Sequence, residues 1–280
     1  MIKFNFVDAE IFLGEMKPEE ILKRAKNPKH ILGIYNYCDR WCERCSFTSR
    51  CLNFDMSSVR EKNLEKLDVE NKEYWEEIEN IFKDTMKLIA HIAEKQGIDL
   101  SKVDKAEVEK EMKKSKDADK KANKHIISTE AKMYNKIVDK FFKQEKELFV
   151  RKEKEMNKHL QLGINEKKII SEADEIKDCF EIISWYNPQI WVKMMRALSG
   201  KFEGEEFADE NEFPRDSDGS AKVALIGIDR SIAAWGKLQQ LFPEKTDELI
   251  SVLLHLDRLR KQIEKEFPKA RSFKRAGFDE

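Results

Sequence analysis

At 280 residues and 40% hydrophobic content, the chain can bury a substantial core without a metal or disulfide to hold it together. Charged residues reach 38%, yet 53 Lys and Arg offset 54 Asp and Glu, and the net charge of -1 excludes a global field that would draw the protein to nucleic acid or an anionic membrane.

The opening residues MIKFNFVDAEIFLGEMKPEE carry Asp8 where a secretory leader needs an unbroken apolar core, and no apolar run approaches bilayer-spanning length. The reading is a cytoplasmic protein with no membrane partner, in a compartment that keeps thiols reduced. Residues 2–6 (IKFNF) alternate apolar and polar and residues 31–36 (ILGIYN) form a short apolar run, so one or two brief strands are expected around a helix begun by Pro18.

The stretch YCDRWCERCSFTSRC, residues 37–51, then places Cys38, Cys42, Cys45 and Cys51 within fifteen residues, while Cys179 is the chain's remaining cysteine. Thiolates are soft anionic ligands suited to zinc, Cu(I) or iron-sulfur clusters, and C-x3-C-x2-C-x5-C lets one loop wrap a single centre. Zinc sites typically pair two separated C-x2-C knuckles, whereas here one x2 gap joins three crowded ligands, as in compact iron-sulfur loops. The spacing predicts a metal site at Cys38, Cys42, Cys45 and Cys51, with a [4Fe-4S] cluster favoured and zinc as the alternative. Trp41, Phe47 and Phe54 flank the ligands, and Arg40, Arg44 and Arg50 supply positive charge near anionic sulfurs.

Two short resemblances accompany this run. Cys38, Cys42 and Cys45 have the C-x3-C-x2-C spacing that resembles radical S-adenosylmethionine enzymes, whose partial (βα) barrel would need an alternation of strands and helices that this chain lacks after Cys51. Cys42, Cys45 and Cys51 are similar in spacing to the last three cluster ligands of helix-hairpin-helix DNA glycosylases. That likeness covers ten residues and implies only that such spacing can hold four irons.

From Ser57 onward the pattern is helical. Tyr74, Ile78, Ile81, Phe82, Thr85, Leu88, Ile89 and Ile92 recur at three- and four-residue steps up to Gly97. Residues 101–125 hold nine lysines and six acids, interleaved, so the segment 97–125 reads as a highly charged helical extension or connector and not as a nucleic-acid patch. An apolar stripe from Ile126 to Met156, ending near Gly163, predicts a single helix on the order of 50 Å long. Ser171 begins a further helix that Pro188 should kink or break, ending at Ser199 and Gly200. Residues 201–219, with eight acids against two bases, read as an acidic loop. The apolar run SAKVALIGIDRSIAAWGKLQQL and an amphipathic helix after Pro243 complete the chain.

The expected fold is therefore mainly α: a four- to five-helix bundle over residues 57–280, preceded at 1–56 by a small N-terminal Cys-rich metal-binding module. Charges on apolar faces supply a second candidate site. Glu130, Glu145, Glu181, Asp229 and His255 either form a di-metal centre of the ferritin-like kind or join a structural ion-pair network with Asp229, Arg230 and Arg196. A ferritin-like oxidase would need Glu-x-x-His pairs, and none of the five histidines has Glu three residues before it.

The functions these signals allow are three. The first is electron transfer or redox sensing through an iron-sulfur cluster, with a redox protein partner. The second is a zinc-stapled helical scaffold for protein-protein interaction, and the third is a di-metal oxidase. Substrate and oligomeric state have no signal in the residues.

Overall fold

The computed structural model describes residues 18–58, 72–102, 104–204 and 215–279. Among these the fold is mainly helical: α1 (Pro18–Ala25), α2 (Leu52–Ser58), α3 (Lys72–Gln96), α4 (Lys105–Lys124), α5 (Ile126–Gln144), α6 (Lys146–Gln161), α7 (Glu166–Glu203), α8 (Asp216–Leu241) and α9 (Thr246–Glu266). No helix of the described residues is long and apolar enough to cross a membrane.

The chain divides into two compact units, and the division falls inside α4. One holds the described residues up to Val108 together with residues 276–279; the other spans Glu109–Arg275. In the first unit α1 packs on α3, and Ile34, Trp41, Met56 and Ala93 are buried. The solvent side of α3 leaves Phe82, Met86 and Ile89 exposed.

The expected strand at 31–36 is not formed. Successive turns occupy these residues, with Ile34 N–H donating to the Ile31 carbonyl and Asn36 N–H to that of Gly33. Gly33 takes φ +74, which reverses the chain where a strand would run straight. Residues 2–6, the other expected strand, lie outside the described residues.

The second unit is built by α5–α9 around α8, whose longest pairing is with α7. Its core joins Tyr134 of α5, Ile183, Tyr186, Ile190, Met194 and Leu198 of α7, Leu225, Ile228 and Trp235 of α8, and Leu249 and Leu256 of α9. Helix periodicity explains these sets, since each lies on one face of its helix. The indole N–H of Trp235 donates to the Tyr134 hydroxyl at 2.9 Å, so the largest buried polar groups satisfy one another.

Several helix boundaries differ from the sequence reading. The long helix expected from Ile126 is two helices that meet at Glu145, where Phe141, Phe142 and Phe149 turn onto Phe180, Trp235 and Phe242, and the Glu145 carboxylate reaches Lys245 at 2.8 Å. Helix α7 begins at Glu166 instead of Ser171, after Asn165 at φ 49, and it passes through Pro188 and Gly200 without a break. Pro188 removes one intrahelical donor, but Tyr186 and Ile190 on either side are both 1% exposed and are clamped against Gly227 of α8. Tertiary packing outweighs the local penalty. The expected acidic loop is also shorter at both ends, because α7 runs to Glu203 and α8 starts at Asp216; residues 205–214 lie outside the described residues.

Candidate metal centre

The four-cysteine segment folds as turns strung between α1 and α2. Ile31 N–H donates to the Arg50 carbonyl at 2.9 Å, tying the start of the loop to its end. Two single 3-10 turns follow, Cys42–Arg44 and Thr48–Arg50, and each is closed by a cysteine: Cys45 N–H donates to the Cys42 carbonyl and Cys51 N–H to that of Thr48. The x2 gap between Cys42 and Cys45 is thus one 3-10 turn, whose i, i+3 side chains eclipse. Cys51 then supplies the carbonyl that accepts from Asp55 N–H as α2 begins. Beneath the loop, Arg24 pairs with Asp55 at 3.1 Å and the buried His30 ring meets the Arg24 carbonyl at 3.1 Å, joining α1 to α2.

The four cysteines form no disulfide, are partly buried, and all line one recess. Its walls are aromatic: Trp41, Phe47, Phe54 and Phe278. The recess holds about 20 Å³. Individual sulfurs are already engaged by the chain. The Cys38 thiol donates to the Tyr35 carbonyl at 3.6 Å, and the Cys45 sulfur accepts the Phe47 backbone N–H at 3.4 Å. Amide donors aimed at a sulfur stabilise its thiolate and tune any metal it holds.

Electrostatics mark the same spot. Burial pushes the Cys42 thiol up to about 11, with Cys38, Cys51, Glu43 and Cys45 adding to the rise. Arg44 stacks over the Trp41 ring at 4.0 Å and Arg50 donates to the Lys29 carbonyl at 3.5 Å, so both flanking arginines have protein partners. Arg40 is held at φ 55, in the left-handed region that a β-carbon makes costly by about 1–3 kcal/mol. This strain lies at the turn that carries the chain from Cys38 to Cys42.

Among the described residues no three Cys, His, Asp or Glu side chains gather as a single bound ion requires. The thiols surround the recess without that convergence. Their chemistry fits a thiolate-held group, with four soft donors, an amide donor to sulfur and aromatic side chains beside them.

The second candidate set is divided among separate partners. Glu130 lies 3.6 Å from His255, whose ring also meets the Glu130 carbonyl at 3.0 Å and stacks on Tyr134. Glu145 pairs with Lys245, Glu181 with Lys177 at 3.8 Å, and Asp229 with Arg271 and Arg260. The ion pairs differ from the expected grouping too, since Arg196 binds Asp216 at 2.6 Å and Arg230 meets the Tyr186 hydroxyl. Glu130 and His255 come together, and Glu145, Glu181 and Asp229 each pair with a different cation.

Sequence reasoning missed Phe278 and Gly277, which no spacing rule links to cysteines more than two hundred positions away. No protein-family model, curated protein or solved structure matches this chain.

Proposed function

We propose that Cys38, Cys42, Cys45 and Cys51 hold a [4Fe-4S] cluster and that the protein serves in electron transfer or redox sensing. The observation that carries this reading is the lining of one small recess: four cysteines of a single loop, none in a disulfide, meet aromatic side chains there. A bound cluster of this kind supplies one-electron chemistry. The chain's own part is to hold the thiolates, to donate the Phe47 amide to Cys45, and to keep water from the sulfurs with Trp41 and Phe47. One feature supports a cluster over one ion: the single x2 gap, which crowds three ligands into eight residues where zinc sites typically pair two separated knuckles. A redox protein partner and a reducing, cytoplasmic setting follow from the same reading, because clustered thiols stay unpaired where disulfides do not form.

Protein purified without oxygen is expected to be brown, with broad visible absorption that dithionite bleaches. A colourless protein contradicts the cluster. The second reading, a zinc-stapled helical scaffold for a partner protein, rests on the same four cysteines, since four thiolates are also a complete ligand set for structural zinc. About one zinc per chain in colourless protein is its signature. The di-metal oxidase gains no support, because its residues are spread over separate ion pairs.

A further inference from the structure

The cysteine recess has one wall that the cysteine loop does not supply. Residues 276–279 belong to the same compact unit as the loop, and Phe278 lines the recess with its ring edge-on to Phe47, 5.1 Å between centroids. Gly277 explains how the chain reaches that position. It adopts φ +76, and a β-carbon there would lie 2.9 Å from Ile31 Cδ1 and 3.1 Å from Ile34 Cδ1. Any other residue would strain the backbone and push two isoleucines of the loop. Ile34 is itself 3% exposed, so this segment is laid directly on the loop's own small core.

We propose that residues 276–279 form a strap that closes the thiol recess, with Gly277 setting its path and Phe278 acting as the shield, so that reagents reach the cysteines when the strap lifts. Such a strap would slow both loss of a bound metal and oxidation of the free thiols, since both need access to sulfur. The purpose of the strap rests on the reading of the four thiols as a metal centre; its test does not.

Full-length protein, reduced and freed of metal by chelation, is treated with N-ethylmaleimide, and modification of each cysteine is followed in time by mass spectrometry. Phe278→Ala is expected to speed modification of the loop cysteines on the order of fivefold, whereas Phe278→Leu keeps most of the shielding. Gly277→Ala should accelerate the same thiols, because the strap can no longer follow its path. Cys179, buried in the helical unit, is the internal reference and should keep its wild-type rate. Unchanged loop-thiol rates in Phe278→Ala overturn the proposal, and so does an equal rise at Cys179, which would report general loosening. Wild-type protein that binds no metal yet shows thiols shielded by Phe278 overturns the metal centre and leaves the strap. Metal bound with thiol rates indifferent to Phe278 does the reverse.

Discussion

Tyr134 shows how a single residue couples burial to pH. Its ring is fully buried and burial pushes its hydroxyl from 10.0 up to about 12, against the opposing hydrogen bond from Trp235. The folded state therefore holds this proton more tightly than the unfolded chain does. The stability it contributes is fully present below pH 10 and is lost as pH climbs through the window from 10 to about 12. Tyr134→Phe should flatten part of the fall in unfolding midpoint above pH 10, measured by denaturant titration beside wild type. At neutral pH the same change leaves the Trp235 indole N–H without its partner, at a cost of about 1–3 kcal/mol. At this scale the cysteines were legible because four thiols in fifteen residues stand out against an otherwise cysteine-poor chain. Phe278 was not, because its role arises from where the fold returns the chain and no local pattern records that.

Helices α7 and α8 show what the element scale adds. Gly227 lets them approach closely: a β-carbon there would sit 2.9 Å from Tyr186 Cδ1 and 3.3 Å from Ile190 Cγ1. Gly236, on the same helix, has nothing within 4 Å of that position. Two alanine substitutions should thus act in opposite directions. Gly227→Ala overpacks the contact and is expected to destabilise by about 1–3 kcal/mol. Gly236→Ala relieves a flexible helix interior and should stabilise by about 0.5–1 kcal/mol, both read from urea unfolding. The apolar faces of α8 and α9 were readable from period alone, since Leu249, Val252, Leu256, Leu259 and Ile263 form one stripe and are all buried. Where local signals failed, tertiary contacts had outweighed them. Pro188 did not stop α7 because its neighbours are locked in the core, and Glu145 divided a continuous stripe because the aromatic cluster and Lys245 pull the chain aside. At residues 31–36 an apolar run became turns, since Gly33 at φ +74 reverses the chain and the amides of Ile34 and Asn36 are satisfied within those turns.

For the whole molecule, the account separates a helical unit with its own core from a unit that carries the thiols. The core of residues 109–275 contains Cys179 but none of the four loop cysteines. If the loop holds a metal as proposed, removing it should leave the main helical unfolding transition where it was, while limited proteolysis finds new cuts between residues 26 and 51. A metal-dependent loss of the main transition, followed by circular dichroism on heating, would contradict that separation. The balanced charge read at the outset leaves association to local surfaces, and the mainly helical class followed from periodicity over most of the chain.

The most direct test of the central claim is the metal content of the full-length protein compared with a variant in which Cys38, Cys42, Cys45 and Cys51 are all serine, both purified without oxygen and assayed for iron and zinc. The account predicts about four irons per wild-type chain and none in the variant, with Cys179→Ser retaining the wild-type content. Wild type free of iron, or iron that persists after all four sulfurs are removed, would contradict it.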